Sequence, residues 1–145
     1  MARVNTYLNF PGNTEEAFNF YKSVFGGEFT GGIQRFKDIP PSENNRPVPE
    51  DAKNLVMHIA LPIFDGHVLM GTDAPKTMGF NVNFGNNVYI SLQPDSREDT
   101  TRLFKALANG GKVEMDLQDT FWGDYYGSLT DKFGIHWMLD CEPKK

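Results

Sequence analysis

Asn5-Thr6-Tyr7-Leu8-Asn9, followed by Thr14-Glu15-Glu16-Ala17-Phe18-Asn19-Phe20-Tyr21, decides the fold, because the chain restates it. The first segment alternates like a half-buried strand, and the second reads as the start of an amphipathic helix. Tyr89-Ile90-Ser91-Leu92-Gln93 and Ser96-Arg97-Glu98-Asp99-Thr100-Thr101-Arg102-Leu103-Phe104 repeat that pair. Both helices run into a glycine pair, Gly26-Gly27 and Gly110-Gly111. Glycine accepts the left-handed backbone that ends a helix. Strand patterns follow each pair. An internal repeat constrains the fold more than any single motif.

Outward from the first copy, Pro11-Gly12 is a turn, and Asn13 or Thr14 can cap the helix with Glu15 and Glu16 near its positive end. Ala17, Phe18, Tyr21, Val24 and Phe25 form its apolar stripe. Residues 28–36 read as a strand with Gly31-Gly32 as a bulge. Residues 37–54 carry Pro40, Pro41, Pro47 and Pro49 among polar residues. This loop is longer than most connections, so it is either a lid or dimer arm, or an ordinary surface excursion. Residues 54–62 and 67–72 form a hairpin around Asp65-Gly66. In the second copy, residues 112–116 form a strand, and residues 125–130 and 135–141 a hairpin around Lys132-Phe133-Gly134. Asp65-Gly66 superposes on Phe133-Gly134 at an offset of 68 residues, whereas Asn5 superposes on Tyr89 at an offset of 84. The proline-rich loop, absent from the second half, accounts for the difference. The expected organisation is one domain: module one about 3–73, a linker at 74–87, and module two about 88–142.

At 145 residues the chain is long enough for one domain that buries roughly 68–70% of its unfolded surface. A net charge of -5 argues against nucleic acid as a partner. The N-terminus lacks a signal-peptide core, and no apolar run nears the roughly 20 residues of a membrane span. The single cysteine, Cys141, sits in an apolar strand and reads as a buried thiol of a reducing compartment. A cytoplasmic protein without membrane contact is expected.

Tandem strand–helix–three-strand modules resemble the vicinal oxygen chelate superfamily of glyoxalases, bleomycin-resistance proteins and ring-cleaving dioxygenases. Tyr7-Leu8-Asn9-Phe10-Pro11-Gly12-Asn13, Phe20-Tyr21, Thr120-Phe121-Trp122-Gly123 and Thr130-Asp131-Lys132-Phe133-Gly134 with Trp137-Met138 are similar to its PhnB-like branch. The resemblance implies an α+β fold, two tandem βαβββ modules whose curved mixed sheets surround a central cavity, and a homodimer. Metal-dependent relatives place one ligand early in the first strand and one in the last strand of each module. The positions that match here are Asn5, Met70, Tyr89 and Met138. Divalent ions at such seats want imidazole or carboxylate, which none of the four supplies. No metal and no other cofactor is therefore expected.

The residues expected to line the cavity are Asn5, Tyr7, His58, Met70, Tyr89, Trp122, Tyr126 and Met138. Tyr7 alternates with Asn5 and shares its face. His58 is either a polar contact or acid–base group in the cavity, or a hydrogen-bonded interior histidine. His136 alternates with Trp137, and the tryptophan is expected to take the interior. Phe121-Trp122 with Tyr125-Tyr126 forms an aromatic cluster, for a planar ligand or for core packing. PhnB-like sequences are sometimes described as methyltransferases, but no glycine-rich strand-to-helix turn is present to hold S-adenosylmethionine. The expected function is metal-free binding of a small, partly apolar or aromatic molecule. The alternative is a metal- or His-dependent lyase, isomerase or dioxygenase of the same superfamily.

Overall fold

The computed structural model describes residues 2–40 and 47–143. The main elements are β1 (Thr6–Phe10), α1 (Thr14–Phe25), β2 (Gln34–Arg35), β3 (Val56–Ile63), β4 (His67–Asp73), β5 (Ile90–Leu92), α2 (Arg97–Ala108), β6 (Lys112–Asp119), β7 (Tyr125–Thr130) and β8 (His136–Cys141). They form two compact units, one ending at Asn83 and the other beginning at Phe84. Each holds one helix and one open four-stranded mixed sheet, with strand orders β1-β4-β3-β2 and β5-β8-β7-β6. The first strand of each unit runs parallel to the last, and the other pairings are antiparallel. This is the expected α+β fold of paired modules.

The register carries the repeat. Thr6 lies opposite Leu69, and Ile90 lies opposite Trp137. Those pairs stand 84 and 68 residues apart, the two offsets read from the sequence. The helices repeat equally closely in what they bury. Thr14, Ala17, Phe18 and Tyr21 are buried in α1; Thr100, Leu103, Phe104 and Leu107 are buried in α2. Both sets follow the i, i+3, i+4, i+7 spacing of one helix face.

A missing Cβ lets each helix close on its sheet. A Cβ added to Gly71 of β4 would lie 2.6 Å from Cε1 of Phe18, and one added to Gly127 of β7 would lie 2.8 Å from Cε2 of Phe104. An aromatic ring thus rests on a glycine in both units, on different strands.

The helix starts are held differently. Ser96 caps α2, its hydroxyl oxygen accepting the Asp99 N–H at 3.0 Å. Asn13 makes no side-chain cap for α1. Asp73, at the end of β4 and only 2% exposed, takes that role from across the sheet. Its Oδ1 accepts the Thr14 N–H at 3.0 Å and the Thr14 hydroxyl at 2.6 Å, and its Oδ2 accepts the Val56 N–H at 2.8 Å. In unit two, Asp131 ties a turn to a core ring. Its Oδ1 accepts the N–H groups of Phe133 and Ile135, and its Oδ2 accepts the indole N–H of the fully buried Trp137 at 2.9 Å. The Thr-Asp-Lys-Phe-Gly wording is therefore a folding device.

Three expectations need correction. The strand expected over 28–36 shrinks to Gln34–Arg35. Gly31 and Gly32 both have positive φ, 74° and 71°, and turn the chain where a bulge was expected. The strand begun at Lys112 runs on to Asp119. The linker contains a 3-10 turn, Lys76–Met78. Of the loop at 37–54, residues 41–46 lie outside the described residues, so a lid or dimer arm formed by them is not described. Nearby, Arg35 makes a bidentate pair with Glu15 of α1, at 3.0 and 3.1 Å.

Candidate functional site

Side chains alternate along a strand, so each sheet has one face under its helix and one helix-free face. In unit one Tyr7 stands opposite Met70, which stands opposite Ala60. Asn5 and His58 fall on the same helix-free face by alternation. The rings of Tyr7 and His58 lie 6.0 Å apart, and Tyr7 is half exposed. The amide oxygen of Asn5 accepts the Val68 N–H at 3.1 Å and so fixes the neighbouring strand. His58 is half-buried, and among the described residues its ring has no hydrogen-bond partner. The four unit-one residues expected to line a site thus share one face.

In unit two Ser91 stands opposite Met138, which stands opposite Ser128. Tyr126 is on that face, opposite Asp140. Tyr89, just before β5, packs against His136, with ring centroids 5.1 Å apart. Trp122 departs from this group. It sits in the turn between β6 and β7, where Thr120 accepts the Asp124 N–H on its hydroxyl and donates its own N–H to the Asp124 carbonyl. Its ring meets Phe121 edge-on at 4.9 Å, and the two are 58% and 98% exposed. Alternation also divides the expected aromatic cluster. Tyr125 turns to the helix side, where the Arg97 guanidinium covers its ring at 4.0 Å.

Sequence reasoning missed the polar centre of this face. The Tyr89 hydroxyl donates to Oε2 of Glu114 at 2.7 Å. Thr130 Oγ1 lies 3.2 Å from Oε1 of Glu114 and 2.8 Å from Nδ1 of His136. His136 Nε2 lies 2.7 Å from the Gly85 carbonyl, which can only accept, so Nε2 carries a proton. A neutral His136 then presents a bare Nδ1, and the single Thr130 proton must choose between that nitrogen and Glu114. A signal existed for His136: it shares parity with Met138, and its repeat partner in module one is Val68. Trp137 takes the interior as expected, which places His136 on the helix-free face.

The network sets the charges. The Tyr89 hydrogen bond, helped by Thr130 and His136, holds the Glu114 carboxyl below its usual range against a burial effect of opposite sign. The same bond raises the Tyr89 phenol, and Tyr126 adds to the rise. Asp140 is pushed up to about 6, first by burial and then by a hydrogen bond and repulsion from Asp124.

The four seats that hold metal in metal-dependent relatives do not fit a divalent ion here. Asn5 uses its oxygen on Val68, Tyr89 donates to Glu114, and Met70 and Met138 offer only thioethers. Among the described residues, no three His, Cys, Asp or Glu side chains gather to hold a metal ion.

Two helices against two four-stranded mixed sheets in tandem, with these helix-free faces, define a protein of the glyoxalase type. The chain belongs to the Glyoxalase/Bleomycin resistance protein/Dioxygenase superfamily, whose family profile matches residues 3–139. It is 30% identical to Protein YjdN of Escherichia coli over 94% of this chain and 93% of that one. Protein PA1353 from Pseudomonas aeruginosa superposes with a TM-score of 0.83 at 35% identity, over 99% of this chain and all of the other. A PhnB protein from Bacillus cereus superposes with a TM-score of 0.73 at 27% identity, over 97% and 99% of the two chains. No helix among the described residues is long and apolar enough to cross a membrane.

Proposed function

We propose that this protein binds a small, partly apolar or aromatic molecule on its helix-free sheet faces without a metal ion. The observation that carries the reading is the chemistry of the four seats: one amide already bonded, one phenol already donating, and two thioethers. Thioethers are soft, flexible, apolar contacts suited to an organic ligand. Tyr7, His58 and Tyr126 extend the apolar and aromatic area beside them, whereas Trp122, held in the turn between β6 and β7, is not part of that area. Bleomycin-resistance proteins belong to the same superfamily, and sequestering a molecule needs no catalyst. The homodimer expected of the family is part of this proposal and is read by sedimentation equilibrium. Elemental analysis tests the central claim, before and after soaking in Mn, Fe, Co, Ni and Zn. Less than about a tenth of an equivalent throughout is the expected result. A near-stoichiometric ion lost on replacing His58 would overturn it.

A second reading, acid–base catalysis by a lyase or isomerase, is favoured by one observation. His136 reaches Glu114 through Thr130, with Nδ1 3.6 Å from Oε1, whereas His58 packs beside the Tyr7 ring and stands opposite Gln34. Turnover abolished by His136→Gln but not by His58→Gln would establish it.

A further inference from the structure

The helix-free face of unit two carries carboxylates where the strands of unit one place no charge. Along unit one the face presents Asn5, Tyr7, His58, Met70 and Thr72, and among the described residues its strands β1, β3 and β4 place no carboxylate and no permanent cation there; the nearest cation is Arg3, ahead of β1. Along unit two the repeat partners of Asn5, His58 and Thr72 are Tyr89, Tyr126 and Asp140, and Glu114 enters from β6.

From this contrast we propose that the unit-two face recognises an organic cation, an amine or quaternary ammonium group on an apolar or aromatic body, with Glu114 as its counter-charge and the Tyr89 and Tyr126 rings as its walls. This rests on the small-molecule reading above and names the ligand class. Glu114 is suited to the role because it is held in place yet not used up. Its oxygens take one hydrogen from Tyr89 and compete for one from Thr130, and its side chain remains 32% exposed. A carboxylate offers about four acceptor positions, so capacity is left for an ammonium group. Aromatic faces attract cations through their quadrupole, and the thioether of Met138 accommodates the apolar body. Among the described residues, the other ionisable groups here are Asp140, with Asp124 and Glu142 beyond it towards the strand ends, and Lys112 and His136 beside Glu114. Among these described groups acidic ones outnumber basic ones, and none is an arginine that would favour an anion.

The test uses the full chain with 13C-labelled methionine methyl groups, titrated with three probes of one shape: 2-phenylethylammonium, 2-phenylethanol and phenylacetate. Met138 reports the proposed face and Met70 the unit-one face. The ammonium probe is expected to bind about tenfold more tightly than the alcohol and to shift the Met138 methyl. That advantage should fall to about twofold in Glu114→Gln and shrink at high salt. Glu98→Gln, on the exposed first turn of α2, should retain it, and an unchanged methionine spectrum shows that each variant is folded. Equal affinity for ammonium and alcohol, or a preference for phenylacetate, overturns the cation inference and leaves the small-molecule reading standing. An advantage that survives Glu114→Gln overturns it too. If no probe moves Met70 or Met138, both fail.

Discussion

Asp73 closes the first helix onto its sheet, and removing it should be among the costliest single changes in unit one. Asp73→Ala strands two buried backbone donors, the N–H groups of Thr14 and Val56, and frees the Thr14 hydroxyl. A buried unsatisfied donor costs about 1–3 kcal/mol, so two give about 2–6 kcal/mol, and a lost negative charge at a helix start adds a few tenths or more. Against the roughly 5–15 kcal/mol that holds a domain together, this removes a large share of the stability. Thr14→Val provides the scale. It deletes only the hydroxyl donor and should cost about 1 kcal/mol. In the double variant the two costs should not add, because Thr14 loses nothing further once Asp73 is gone. The assay is urea denaturation followed by far-UV circular dichroism. Fluorescence would mislead, because both tryptophans, Trp122 and Trp137, lie in unit two. A loss under about 1 kcal/mol for Asp73→Ala, or full additivity with Thr14→Val, would refute the claim that this carboxylate holds the helix start.

Other consequences are equally direct. Gly71→Ala would force a Cβ to 2.6 Å from the Phe18 ring and should cost about 1–3 kcal/mol. Gly79→Ala meets nothing within 4 Å and should cost only the strain of its φ of 88°, about 1 kcal/mol. Thermal melts that rank the two in reverse would contradict the packing account. Asp131→Ala should loosen Trp137, giving a red-shifted emission and a loss of about 3–9 kcal/mol, since it removes the carboxylate that accepts two backbone N–H groups and an indole N–H at about 1–3 kcal/mol each. Asp140 titrates near 6 in the fold against 3.8 for an ordinary aspartate. Its stabilising contribution is therefore full below about pH 3.8 and is lost as pH rises through about 6. Asp140→Asn should leave the protein more stable near pH 7.5 by about 1 kcal/mol, discounted from the about 3 kcal/mol of the bare shift because water screens the group. The measurement is stability against pH from about 4 to 8, and an unchanged slope in the variant would exclude the assigned cause.

How much of this was legible in the sequence depended on the distance between the residues involved. The repeat was legible because strand and helix periods are local, and two copies fixed the offsets that pair Thr6 with Leu69 and Ile90 with Trp137. That Asn5 and Tyr7 share a face followed from alternation, while it took the strand register to bring Met70 and His58 onto it. Asp73 was not legible as a cap, because its partner Thr14 is 59 residues away and Asn13 offers the local signal. The strand over 28–36 failed because two consecutive glycines with positive φ bend the chain whatever its side chains prefer. Glu114 escaped because the β6–β7 register shifts twice, between Val113 and Met115 and again before Gln118. Such shifts re-aim side chains that simple alternation cannot follow.

The repeat also argues against two equivalent faces. Met70 and Met138 match, but around them the halves diverge: Asn5 against Tyr89, Tyr7 against Ser91, Val68 against His136, Thr72 against Asp140. Packing does not demand these differences, because the residues concerned lie on helix-free faces, while the helix faces kept the same buried spacing. A fold that preserves its core in duplicate and varies its open faces has been free to assign them different tasks. Taken separately, the uncharged strands of unit one suit an apolar or aromatic molecule, and the unit-two face with Glu114 and Asp140 suits one that carries a positive charge. Substituting Val68→His, or Asn5→Tyr, should fail to make unit one behave like unit two, because neither change brings the carboxylate that fixes Tyr89 and engages Thr130.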